Sequence, residues 1–97
     1  MARFSMGEIL VAEEVKQRIA EEDQMICLNR HAQCDWGDID PAIKELNEKA
    51  LSEGSQSLYS AYTTSTEIKL YIITTPERDK TMLMVQPVEG QWSITRD

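Results

Sequence analysis

At Gly54 the chain changes its period, and that switch limits the folds open to it. Before Gly54 apolar residues recur at helical spacing; after it they alternate. From Glu13 to about Asn29, the residues Val15, Ile19 and Ile26 share one helical stripe, and the acidic run Glu21-Glu22-Asp23 offers a break into two shorter helices. A further helix is framed by its ends. Asp40 suits an N-cap, Pro41 the first turn and Gly54 a left-handed stop, which predicts a helix over Pro41 to Ser52. Its apolar face reads Ile43, Leu46, Ala50 and Leu51, with the amide of Asn47 on the same stripe.

Beyond Gly54, Leu58, Ser60 and Tyr62 alternate with Tyr59, Ala61 and Thr63, and Ile68 to Thr74 is rich in β-branched and aromatic residues. Ser65-Thr66 reads as the tight connection between these two strands. Residues 75–80 form a polar loop interrupted by Pro76, and Thr81 to Gln86 gives a third strand. After Gly90, Trp92 and Ile94 suit either a short fourth strand or a packed tail. The expected architecture is α+β: N-terminal helices packed on a three- to four-stranded antiparallel sheet. It forms a single domain over 1–97, with a helical half at about 8–54 and a β half at about 56–95.

Ninety-seven residues leave room for one core. No apolar run approaches the roughly 20 residues that span a bilayer, and the N-terminus turns acidic at Glu8 before a signal sequence develops. The expected location is the cytoplasm, with Cys27 and Cys34 as free thiols. The net charge of −7 is uneven: residues 1–54 hold twelve Asp/Glu against six Lys/Arg, and residues 55–97 five against four. No cluster of Lys/Arg is present to displace counterions, which argues against direct nucleic-acid binding and against anionic membrane surfaces. An acidic half suits a basic protein surface instead, with Glu21, Glu22, Asp23, Asp35 and Asp38 as the contacting carboxylates. Like charges repel in a compact state, so the excess reads as a solvated, solubilising face or as a binding feature rather than as a folding one.

The segment RHAQCDWGDID, Arg30 to Asp40, gathers the only histidine, a cysteine, a tryptophan and three aspartates. A calcium loop of EF-hand type fails, because its twelfth position is Leu46 counted from Asp35 and Lys49 counted from Asp38. Zinc on Cys27, His31 and Cys34 lacks a convincing fourth ligand, Asp35 being the one at hand. A Cys34–His31 dyad lacks an orienting partner, and there is no phosphate loop or nucleophile elbow. The reading is therefore no enzyme, no metal and no cofactor. Architecture explains the segment better: Trp36 anchors the corner, Gly37 permits a sharp bend, Asp40 caps the next helix, and Arg30 or His31 pairs with an aspartate.

Several of these stretches resemble a family of small proteins encoded on bacterial plasmids, phages and integrative elements. The resemblance rests on Phe4 to Ile9, Arg30-His31, Asp35-Trp36-Gly37-Asp38-Ile39, Asn47, Ala50-Leu51, Leu58 to Tyr62 and Ile72-Ile73-Thr74. Cys34 stands where that family has glycine, and the loop 75–80 has its own spacing. The resemblance implies a mobile-element accessory protein in a bacterial host cell, in a setting where small acidic proteins often act by stoichiometric binding. Three readings stay open. The first is an inhibitor, of anti-CRISPR or anti-restriction type, bound to a basic surface of a larger host protein or nucleoprotein complex. The second is a structural or regulatory module, including a homodimer through the sheet edge or its apolar face. The third is a small metal-dependent enzyme.

Overall fold

The computed structural model describes residues 3–54 and 56–85. Its elements follow in the order β1 (Glu8–Val11), α1 (Glu13–Arg18), α2 (Glu21–Ala32), α3 (Pro41–Glu53), β2 (Leu58–Thr63), β3 (Lys69–Thr74) and β4 (Lys80–Met84). The fold is α+β, with one four-stranded sheet in the order β1-β4-β3-β2. The pairs β2–β3 and β3–β4 are antiparallel hairpins, whereas β1 runs parallel to β4. The sheet is thus mixed rather than wholly antiparallel, and Glu8–Val11, expected in the helical half, is a strand. Four residues are too few to show a period, and this segment becomes a strand because β4 offers it an open edge. The expectation for Trp92 and Ile94 lies outside the described residues.

The break between α1 and α2 falls at Ile19-Ala20, both extended. Two extended residues reset the helical phase, so the stripe begun by Val15 and Ile19 does not continue to Ile26. Cys27 takes the core position, and Ile26 is 52% exposed. Ala20 supplies no side-chain cap, and the three acids of the first turn of α2 face the positive end of its dipole instead.

The Asp40 side chain caps α3, accepting a hydrogen bond from the Ala42 N–H at 3.0 Å, and Gly54 ends it with φ 70°. Ile43, Asn47 and Ala50 are buried, while Leu46 points to solvent. The inward face is rotated from the expected one because Asn47 has a partner inside.

Register places Ile9, Val11, Thr81, Leu83, Leu70, Ile72, Thr74, Leu58, Ser60 and Tyr62 on one face of the sheet. Helices α1 and α2 contribute Val15, Ile19 and Cys27 to a core with Tyr62, Leu70, Ile72 and Leu83. A second core joins Ile43 and Ala50 of α3 to Trp36, Ile39, Leu58, Ala61 and Ile73.

Both hairpins turn through a left-handed residue, Glu67 at φ 65° and Arg78 at φ 60°. In each, the N–H of that residue closes the turn on a threonine carbonyl, Thr64 and Thr75 respectively. Arg78 does more. Its guanidinium donates to the carbonyls of Gln56 at 2.7 Å, Thr75 at 2.8 Å and Ala50 at 3.2 Å, tying the β3–β4 hairpin to the negative end of α3.

Candidate functional site

The Arg30–Asp40 corner closes one edge of the sheet. Helix α2 ends in a Schellman motif, with the Asp35 N–H on the Arg30 carbonyl at 2.9 Å and the Cys34 N–H on the His31 carbonyl at 3.0 Å. Cys34 therefore sits at φ 66°. The chain then runs beside β2: the Ala61 N–H donates to the Trp36 carbonyl at 3.2 Å, and the Asp38 N–H donates to the Ala61 carbonyl at 2.6 Å. Gly37 lies between them at φ 78°, and a Cβ there would fall 2.1 Å from the Ala61 carbonyl oxygen. Only glycine permits this approach.

Two residues back along β2, the Asn47 amide imitates a backbone. Its Nδ2 donates to the Tyr59 carbonyl at 2.7 Å, and its Oδ1 accepts from the Tyr59 N–H at 3.0 Å. The outward polar groups of both Tyr59 and Ala61 are thus met from within the chain.

Side chains lock the corner. Trp36 is 4% exposed and donates through Nε1 to Glu48 at 3.0 Å. Arg30 grips Asp35 with two bonds, 2.8 and 3.2 Å, while its guanidinium lies 4.7 Å above the Tyr62 ring centroid. The Tyr62 hydroxyl donates to the Asp35 carbonyl at 2.6 Å. The arginine hydrogen bond holds the Asp35 carboxyl below its ordinary range.

His31 does not pair with an aspartate. It has no exposed surface, and Phe4 and Trp36 pack against its ring. Its Nδ1 meets Ser60 Oγ, and its Nε2 lies 2.9 Å from Thr74 Oγ1. Thr74 Oγ1 is 2.7 Å from Thr81 Oγ1, which donates to the Met6 carbonyl at 2.7 Å. A carbonyl can only accept, and this sets the direction of the whole chain. Thr81 gives its proton to Met6, Thr74 gives its own to Thr81, and His31 therefore donates from Nε2 and accepts at Nδ1 from Ser60. Burial pushes the imidazole down to about 3, so it is neutral at ordinary pH.

That bookkeeping decides what His31 can do. Both ring nitrogens are engaged, which leaves no lone pair for a metal. Ser60 and His31 resemble a nucleophile and its base, yet neither has any exposed surface on which to meet a substrate. Burial raises the thiols of both Cys27 and Cys34. Among the described residues, no three His, Cys, Asp or Glu side chains converge as a metal site.

The five carboxylates assigned to a partner do not form one uniform patch. Asp23 accepts from the Ser65 hydroxyl at 2.7 Å, Asp38 from the Thr63 hydroxyl at 3.1 Å, and Asp35 is held by Arg30. Glu21 and Glu22 are exposed on the outward side of α2. One turn along, Met25 is 65% and Ile26 52% exposed. The spacings i, i+3 and i+4 put these four on one strip. Sequence reasoning missed the apolar pair because Ile26 was assigned to the core; Met25 beside it, outside the stripe, was the available signal. Among the described residues, no helix is long and apolar enough to cross a membrane. No family model, curated protein or solved structure matches the chain.

Proposed function

We propose that the chain acts by stoichiometric binding to a larger protein through the outer strip of α2. The observation that carries this reading is the exposure of Met25 and Ile26 beside Glu21 and Glu22. Protein interfaces commonly have an apolar centre, where most of the energy resides, and a charged rim that governs approach. A partner suited to this strip has an apolar recess bordered by Lys or Arg, the chemistry of a surface that handles nucleic acid. The resemblance to mobile-element proteins makes a host nuclease or defence complex the expected class, and inhibition by occupying its basic groove the expected mode. The charge imbalance supports the same choice.

Recovering the partner from a bacterial host lysate and identifying it by mass spectrometry is the first test. The second is a pair of double variants against that partner. Met25→Ser with Ile26→Ser should lower affinity at least about tenfold, near 1.4 kcal/mol, with little change in melting temperature. Glu21→Gln with Glu22→Gln should slow association and flatten its salt dependence. Lysine reversals, above all at Asp23, confound this test because they oppose the helix dipole and break the Ser65 contact. Unchanged affinity in both variants would remove α2 as the interface.

A further inference from the structure

The two edges of the sheet are treated in opposite ways. The β2 edge is closed by Asn47, Trp36 and Asp38, as described. Among the described residues the β1 edge is open. On its inner side the Glu8 N–H donates to the Asp79 carbonyl at 2.9 Å and the Ala12 N–H to the Leu83 carbonyl at 3.0 Å. Backbone groups alternate in direction along a strand, so the N–H and C=O of Ile9 and Val11 point away from β4. Among the described residues nothing meets them. Edge strands are usually guarded by lysine, proline or a bulge. The segment Glu8–Val11 contains neither residue, its ladder to β4 is unbroken, and Ile9 and Leu10 are 38% and 37% exposed.

The open edge is also held in place. Gly7, at φ 64°, lies so close to the Asp79 backbone that a Cβ would fall 2.2 Å from its carbonyl carbon, and Met6 accepts the end of the His31 chain. A strand fixed at its start presents its hydrogen-bonding groups without a further ordering cost.

We propose that the outer edge of β1 binds an extended segment of a basic partner protein, which adds as a fifth strand. Charge favours this occupant over a second copy of the chain. Antiparallel pairing about Leu10 would bring Glu8 of each copy towards Ala12-Glu13 of the other, between molecules that each carry −7. Charge complementarity selects the partner instead. Glu8 lies at one end of the edge and Glu13 and Glu14 at the other, all exposed and none in an ion pair among the described residues. Lys80, across the ladder from Glu8, does not pair with it. An incoming strand with an apolar centre and Lys or Arg at both ends matches this pattern. Beside Val11 a cavity of about 380 Å³, lined also by Lys16, Ile19, Ala20, Glu21 and Gln24, can take a long side chain, its stem against Val11 and Ile19 and its charge at Glu21.

This edge shares Glu21 with the α2 strip but none of Glu22, Met25 and Ile26, so either reading can fail while the other stands. The test is titration of the intact protein with the capped peptide KRVTVTVKR, followed by fluorescence anisotropy and by hydrogen exchange at individual amides. Saturable binding with new protection at Ile9 and Val11 is expected. Ile9→Pro removes an outward N–H that β4 does not use and should weaken binding at least about tenfold. N-methylation of alternate central residues of the peptide should do the same without altering the protein. No binding up to about 1 mM overturns the proposal, as does binding that neither Ile9→Pro nor methylation weakens. Equal affinity for EEVTVTVEE would sink the charge-selected partner, and self-association that protects Ile9 and Val11 would assign the edge to a second copy.

Discussion

His31 is held in a state that water does not favour, and stability must follow its titration. Its ordinary value near 6.5 falls to about 3 in the fold, so below about pH 6 the unfolded chain binds a proton that the folded one refuses. Stability is complete above the unfolded value and is lost as pH falls, at up to about 1.4 kcal/mol per pH unit until the folded value is reached. Urea unfolding at pH 7, 5 and 4 should show this slope. A His31→Gln variant should be less stable at pH 7 but show a shallower slope, and identical slopes would disprove the assignment. Cys34 makes a second case. It occupies φ 66°, a region that costs a side-chain-bearing residue about 1 kcal/mol and glycine almost nothing. Cys34→Gly should raise stability by up to about 1 kcal/mol, less what the half-buried thiol contributes. A lower denaturation midpoint would show that the thiol packing matters more than the backbone.

Among the elements, β2 depends most on residues outside the sheet. Asn47 replaces a missing neighbour strand, which explains an amide buried on the apolar side of α3. Asn47→Leu keeps the size and removes both hydrogen bonds to Tyr59. It should cost about 2–3 kcal/mol, the penalty for buried backbone groups deprived of partners. It should also expose the edge to intermolecular pairing, which light scattering at rising protein concentration would reveal. A fully stable, monomeric variant would mean that water replaces the amide without loss.

For the molecule as a whole, charge opposes compactness more than it supports it. The net charge is −7, and among the described residues Arg30–Asp35 is the one ion pair between side chains. Added salt should therefore screen repulsion more than attraction. The melting temperature should rise by a few degrees between about 10 mM and 150 mM sodium chloride, as the Debye length falls from roughly 30 to 8 Å. A fall over that range would mean that unrecognised attractions dominate. Stretches far apart in sequence nonetheless converge. Phe4 packs on His31 and Trp36, Met6 ends the hydrogen-bond chain, and Ser60, Ala61, Tyr62 and Thr74 all bond to this corner or its histidine. These contacts join the sheet to α2.

What the sequence determined by itself was whatever depends on near neighbours. Asp40, Pro41 and Gly54 bound α3 because a helix end is capped by residues adjacent to it. Alternation marked β2 because side chains on one strand take opposite faces, and β-branched and aromatic residues marked β3 because they fit a pleated surface. Trp36 marked a buried anchor because so large an apolar side chain is stabilised by leaving water. Tertiary structure decided the rest. Glu8–Val11 is a strand only because β4 lies beside it, and Ile26 faces solvent because the extended Ile19-Ala20 joint resets the helix phase. His31 can be buried because Ser60, Thr74, Thr81 and Met6, up to 75 residues apart along the chain, meet in one line of hydrogen bonds, and burial keeps it neutral. Local patterns record periodicity and caps; they hold no record of which distant atom will satisfy a buried polar group.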